Sequence, residues 1–187
     1  EQVRALGEED FRDRLVPYLA DAYPDPTGEA LQAPLVSAES FDELSAREQE
    51  ILNAAAPLIQ TRIQMLRECR DMLGFLFVSD AELTIDDKAV AKLKASAGDV
   101  LDAGIHALEG LGTEQWGRGQ LEEALSAAIV EGQGMPNGEG IKPRLAYGPL
   151  RVAVTGRQVS PPLFESMEIL GAGSTLARLK ALRARLG

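Results

Sequence analysis

The stretch LRVAVTGRQVSPPLFESMEILG, residues 150–171, has apolar residues at helical spacing, yet it is cut by Gly156, by Ser160-Pro161-Pro162 and again by Gly171. Proline lacks a backbone N–H and its ring collides with the preceding helical turn, and glycine gives up the most entropy by staying helical. A chain patterned in this way folds into short helices joined by tight corners. Proline at Pro149 suits a first turn, Leu150, Ala153 and Val154 share one face, and Gly156 is placed to end the segment, which predicts a helix of barely two turns. Ser160 then reads as an N-cap and Pro161 as the first residue of a second helix that buries Leu163, Met167 and Leu170 and stops at Gly171. Ser174 reads as the cap of a last helix with Leu176, Leu179, Leu182 and Leu186 inside and Arg178, Lys180, Arg183 and Arg185 as a solvated face.

Elsewhere the long segments also follow the helical period, and no run alternates like a strand, so the chain is all-α. Residues 8–20 carry acids in the first turn and Phe11, Leu15, Val16 and Leu19 near helical spacing, with Pro17 expected to bend the helix. Residues 23–34, with three prolines and a glycine, read as a loop. Ser45 and Glu48 have capping-box spacing and open a long helix that Pro57 should kink. Steps of about 100° place Ile51, Ala55, Leu58, Ile59 and Leu66 in one apolar stripe, with Arg62 in its middle. A guanidinium there must snorkel, pair with a carboxylate, or line a groove that a ligand completes. A further helix is expected over about 64–76, then others at 86–95, 99–111 and 118–131. The acidic, polar stretch 79–90 reads as the junction between two helical parts, residues 1–79 and 80–187.

Composition narrows the function classes. One cysteine, Cys69, permits no internal disulfide, and with His106 the only histidine no four-ligand Cys/His metal site can be built. No apolar run approaches the ~20 residues needed to cross a bilayer, and the acidic start EQVRALGEED is no signal peptide, so the expectation is a soluble, cytosolic protein. The net charge of −10 taken alone argues against nucleic-acid binding, but it is uneven. Residues 1–141 carry 11 Lys+Arg against 27 Asp+Glu, whereas residues 142–187 carry 8 against 2. Corner-rich, basic segments gather helix N-termini and arginine forks, which suits an extended, anionic, single-stranded ligand.

Pro149-Leu-Arg-Val-Ala-Val-Thr-Gly156, Ser160-Pro-Pro-Leu163, Glu168-Ile-Leu-Gly171 and the closing Arg/Leu helix resemble the C-terminal anticodon-binding region of bacterial glutamyl-tRNA synthetases. Pro57-Leu-Ile-Gln-Thr-Arg62 followed by Gly74-Phe-Leu-Phe77 is similar to that family's preceding helical subdomain, and the helix at Trp116 fits as well. The resemblance implies two consecutive α-helical cages that grip the anticodon loop. It also implies anticodon-contacting roles for Arg62 on the first cage and for Arg151, Ser160, Pro161 and Leu163 on the second, Ser160 keeping the hydroxyl of the threonine also found there. The family's partner is a tRNA with a glutamate anticodon, in some members also a glutamine anticodon, and its catalytic domain uses ATP and Mg.

The family's HIGH-type and KMSKS-type ATP signatures occur nowhere in the 187 residues, nor does a glycine-rich phosphate loop. The expectation is a monomeric fragment that starts after the catalytic domain, holds no cofactor, binds tRNA weakly and catalyses nothing alone. Read without the resemblance, Arg62 is a structural ion-pair partner, Trp116 a core anchor and Cys69 a buried hydrophobe, although flanking Arg67 and Arg70 raise the option of a lowered thiol pKa. Asp86-Asp87 and Glu122-Glu123 are given to solvent, since adjacent helical residues point about 100° apart. The competing function is an acidic helical interaction domain whose basic tail docks on an acidic partner.

Overall fold

The computed structural model describes residues 2–24 and 31–187. These form nine α-helices with short 3₁₀ turns, grouped in two compact units, residues 1–78 and 79–187. The one sheet element among them is a two-residue antiparallel bridge, Tyr23 opposite Gln32 and Pro24 opposite Leu31. It lies inside the Pro/Gly-rich segment 23–34 expected as a loop, of which residues 25–30 lie outside the described residues.

In the first unit α1 (Glu8–Ala20) packs on α2 (Ala46–Ile59) and α3 (Cys69–Leu73). Phe11, Leu15, Val16 and Leu19 of α1 meet Leu52, Ala55, Ala56 and Ile59 of α2, all of them buried. Both helices contain a proline, Pro17 and Pro57, and both run through it. Each proline is exposed, and so are Asp13 and Asn53, whose carbonyls lose a helical donor at the solvent face of the helix. The capping box at the start of α2 forms as expected: Glu48 N–H donates to Ser45 Oγ at 3.1 Å and Ser45 N–H to Glu48 Oε1 at 2.9 Å. The helix expected at 64–76 is broken into a 3₁₀ turn (Leu66–Glu68), α3 and a second 3₁₀ turn (Gly74–Leu76).

Cys69 is fully buried, and burial pushes its thiol up to about 12, outweighing the opposing pull of Arg70. The lowered thiol pKa considered from its arginine neighbours is therefore overturned by desolvation. Cys69 should resist alkylation at about pH 8 in the native protein and react only as the first unit opens, a prediction that iodoacetamide labelling with mass detection checks. The sign of the linked pH effect is definite. Below the unfolded thiol pKa of about 8.5 both states hold the proton; above it only the unfolded state releases it, so stability falls as pH rises, by at most about 1.4 kcal/mol per unit. Urea titrations across that range should show this extra slope in the natural chain and not in Cys69→Ala.

In the second unit α5 (Ala97–Glu109) is the central helix. It packs against α6 (Arg118–Leu125), α7 (Pro143–Thr155) and α9 (Ala172–Leu186), with α4 (Asp87–Ala91) before it and α8 (Leu163–Leu170) between the last two. Val100, Leu101, Leu108, Leu121, Leu125, Ile129, Leu150, Met167, Leu179 and Leu182 form the core. The helix expected over 118–131 is regular to Leu125 and then widens to a π-type turn, Ser126–Val130. α7 starts at Pro143, not Pro149, and is three turns long. Pro143 occupies the N-terminal position that proline favours, and burial of Ala146, Leu150, Ala153 and Val154 carries the helix through Pro149 despite the lost hydrogen bond.

Of the cations of α9, Lys180 and Arg185 are exposed and Arg183 half-buried, but Arg178 is buried and each of the four has an acid partner. Arg178 is 2% exposed, donating to Asp80 Oδ1 at 2.7 Å and to Val154 O at 2.9 Å near the C-terminal end of α7. Lys180 pairs with Glu109 at 2.7 Å, Arg183 with Asp102 at 2.9 Å and Arg185 with Asp87 at 2.6 Å. The positive charge that sequence order concentrates in the tail is thus met by acids from residues 80–109. Leu176 and Leu186, expected inside with Leu179 and Leu182, are only half-buried.

Candidate nucleic-acid interface

Gly156 ends α7 in the left-handed conformation, φ +77°, its N–H donating to Val152 O at 2.8 Å. The Thr155 hydroxyl donates back to Arg151 O at 2.8 Å and accepts the Arg157 N–H at 3.2 Å, which fixes the first step of the corner. The chain then turns through Ser160 and Pro161 into α8. Ser160 does not cap α8: Pro162 holds the N-cap position, and its carbonyl accepts from the Ser166 N–H at 3.0 Å. The Ser160 hydroxyl faces Arg151 instead. Arg151 Nη1 donates to Ser160 Oγ at 2.5 Å and to Pro161 O at 3.0 Å, and Ser160 Oγ donates to Pro161 O at 2.8 Å. Arg151, Ser160 and Pro161 are therefore one hydrogen-bonded group. Ser160 is 3% exposed and Leu163, the first residue of α8, is buried behind the corner.

Half-buried Arg151 forms part of the wall of an open cleft of ≈ 650 Å³ in the second unit. Lys92 and Lys94 line it after α4, and Arg144, Leu145 and Tyr147 line it from the first turns of α7. None of its lining residues is an aspartate or glutamate. Lys92 Nζ donates to the neutral Gln158 Oε1 at 3.3 Å, while exposed Lys94 and Arg144 have no carboxylate partner among the described residues. The contrast with α9, where each cation has an acid, makes this cleft a concentrated positive region in a protein of charge −10. Tyr147 sets its ring edge-to-face on Phe164, centroids 5.2 Å apart, and burial raises its phenol pKa. Lys92, Lys94, Arg144 and Tyr147 were not picked out by pattern. Lys92-Leu-Lys94 and Lys142-Pro-Arg144 were visible as basic pairs, but their convergence depends on a contact between segments some fifty positions apart.

Arg62 is placed otherwise than its helical projection suggests. α2 stops at Ile59, and Arg62 lies in the following turn, its N–H donating to Ile59 O at 2.8 Å and its side chain exposed. The projected stripe is real for Ile51, Ala55 and Ile59, but Leu66 belongs to a separate turn and Arg62 is not within the stripe. The structural ion pair has no counterpart among the described residues. The turn is pinned from the N-terminus: Gln60 Nε2 donates to Val3 O at 3.1 Å and Leu6 O at 2.8 Å, and Arg4 donates to Thr61 O at 2.9 Å. Arg62 thus belongs to the first unit, and Arg151, Ser160, Pro161 and Leu163 to the second.

Other candidates take structural roles. Asp86 caps α4, accepting the Lys88 N–H at 3.0 Å, and Asp87 is the partner of Arg185, so neither is merely solvated. Glu122, Glu123 and His106 are exposed. Trp116 is half-buried, its indole N–H donating to Met167 O at 2.9 Å, which ties the turn before α6 to α8. No group of three or more His, Cys, Asp or Glu side chains among the described residues could hold a metal.

The family model described as an anticodon binding domain matches residues 10–183. The chain belongs to that family. Its similarity to curated proteins runs the same way: it is 49% identical over 184 residues to the glutamate–tRNA ligase of Kineococcus radiotolerans, covering 98% of this chain and 32% of that protein. It is 47% identical over 186 residues to the glutamate–tRNA ligase of Bifidobacterium longum, covering 100% of this chain and 33% of that one. This anticodon-binding chain therefore spans about a third of the length of the curated relatives it matches. Among solved structures, a glutamate tRNA ligase from Elizabethkingia meningosepticum superposes with a TM-score of 0.59 at 19% identity, over 78% of this chain and 26% of that one, a likeness of fold.

Proposed function

We propose that this chain reads the anticodon loop of a tRNA as part of a glutamate–tRNA ligase. The observation that carries the reading is the Arg151 guanidinium, aimed by Ser160 and the Pro161 carbonyl, on the wall of a basic cleft free of carboxylates. Single-stranded loops are recognised by splaying bases out, hydrogen-bonding their edges and packing their faces on flat or apolar groups. A guanidinium held by hydrogen bonds is fixed in its plane, which favours one base edge over another. Ser160 and Pro161 act by holding that plane, and buried Leu163 by seating the corner. Arg62, exposed on a pinned turn, supplies a second reader from the first unit. Each unit then serves as one anticodon-binding subdomain.

The ligase as a whole joins glutamate to tRNA in the cytoplasm, with ATP and Mg bound by the part of its length that this chain does not span. No helix among the described residues is long and apolar enough to cross a membrane. The chain acts as a monomer on a tRNA with a glutamate anticodon, and the residue at Arg62 bears on whether a glutamine anticodon is also accepted. The competing interaction-domain reading relied on a free basic tail; pairing of Arg178, Lys180, Arg183 and Arg185 with the chain's own acids removes that support.

The test is a titration of the chain with two anticodon stem-loop RNAs, one carrying the glutamate anticodon and one with its central base changed. Arg151→Ala should cost about 1–3 kcal/mol on the first and much less on the second. Equal loss on both would reduce Arg151 to a phosphate contact, and absence of any preference in the natural chain would remove the anticodon reading altogether.

A further inference from the structure

We infer that Lys92, Lys94 and Arg144 form a phosphate track: they hold the sugar–phosphate backbone of the RNA beside the base that Arg151 contacts, without reading sequence. This rests on the RNA-binding reading above and adds to it three residues and a separable role.

Three observations converge on it. The three cations come from two segments, one after α4 and one at the start of α7, and line the same cleft as Arg151. The chain carries 29 acidic residues against 19 basic ones, yet the lining includes no acid. All four cations of α9, by contrast, have a carboxylate partner. Leaving three together without a carboxylate raises their mutual repulsion, which a polyanion relieves.

Chemistry divides the roles within the cleft. Lys92 and Lys94 are flexible point charges suited to phosphate oxygens, and Arg144 is exposed, with no described bond holding its plane. Arg151 by contrast has one edge fixed by Ser160 and Pro161. Contacts to phosphate set register and carry no sequence information, whereas a restrained fork beside them reads a base.

The experiment uses the 187-residue chain and the same two stem-loop RNAs over roughly 50–200 mM salt. Lys92→Gln, Lys94→Gln and Arg144→Gln should each weaken both RNAs by the same factor and flatten the plot of log affinity against log salt by about 0.7. Lys180→Gln, which removes a cation already paired with Glu109, should leave that slope unchanged. Far-UV circular dichroism melts, expected to be unchanged for these exposed positions, confirm that the variants are folded. Slopes that stay as in the natural chain while Arg151→Ala still separates the two RNAs would overturn the track and leave anticodon reading intact. Loss confined to the glutamate-anticodon RNA would also overturn it, making these residues base readers. Failure of the natural chain to bind either RNA would instead refute the parent reading, and capture of an acidic peptide by the same three cations would then reassign the cleft to a protein partner.

Discussion

Arg70→Met should destabilise the first unit by about 3–5 kcal/mol. The last turn of α1 contains no basic residue, so its free carbonyls have no local cation. Arg70, arriving from α3, supplies it: Nη1 donates to Tyr18 O at 3.0 Å, Leu19 O at 3.2 Å and Asp21 O at 2.8 Å, and Nη2 to Ala33 O at 2.8 Å. One guanidinium therefore closes a helix end and holds the returning chain after the loop. Methionine fills similar volume but removes this donor from Tyr18 O, Asp21 O and Ala33 O in a region where Arg70 itself is 7% exposed, while Leu19 O keeps the Leu35 N–H at 2.8 Å. Arg70→Lys should recover only part of the loss, because a single ammonium cannot span Asp21 O and Ala33 O as a fork does. The urea dependence of Cys69 labelling reports this unit directly, since the thiol is buried one residue away. A labelling midpoint that does not move in Arg70→Met would show that the carbonyls are equally well served by water.

Gly156→Ala should cost the second unit about 3–5 kcal/mol, from two causes that can be separated. At φ +77° a side chain is strained by about 1–2 kcal/mol. In addition, a Cβ on Gly156 would lie 2.3 Å from Thr84 O, a backbone atom that cannot rotate away. The segment must move, and with it goes the bond from the Asp86 N–H to Gly156 O at 2.8 Å. Gly138 is the control: its φ is +71° with open space around the missing Cβ, so Gly138→Ala should lose only the conformational part, about 1–2 kcal/mol. Trp116, the sole tryptophan, lies in this unit and reports its unfolding by fluorescence. Equal losses for the two variants would mean that the close approach to Thr84 relaxes at no cost.

Much of this molecule was legible from residue order because helices declare themselves locally. The apolar residues of α1, the Ser45–Glu48 box and the cap at Gly156 involve groups within a few positions of one another, and all three appear as expected. Where local rules competed, order alone chose wrongly. Pro149 has the local form of a helix start, yet Pro143 serves that role, because the burial that carries α7 through a proline comes from other helices. Ser160 and Ser174 have the side chains of N-caps, but Pro162 and Gly171 take those positions; the Ser160 hydroxyl is engaged by an arginine nine positions earlier. Arg62 was projected onto a helix that had already ended at Ile59.

The sequence by itself determined the all-helical class, the sites of most corners and a resemblance strong enough to single out Arg151, since each depends on residue type and short spacing. Only the tertiary structure decided which charges are spent and which remain. Coulombic pairing depends on distance in space, and residues separated by up to 98 positions, such as Asp80 and Arg178, become partners only when α9 is packed. That packing gives each cation of α9 an acid partner, and the fold brings Lys92 and Lys94 from the acidic part of the chain beside Arg144 and Arg151 of the basic part in one cleft.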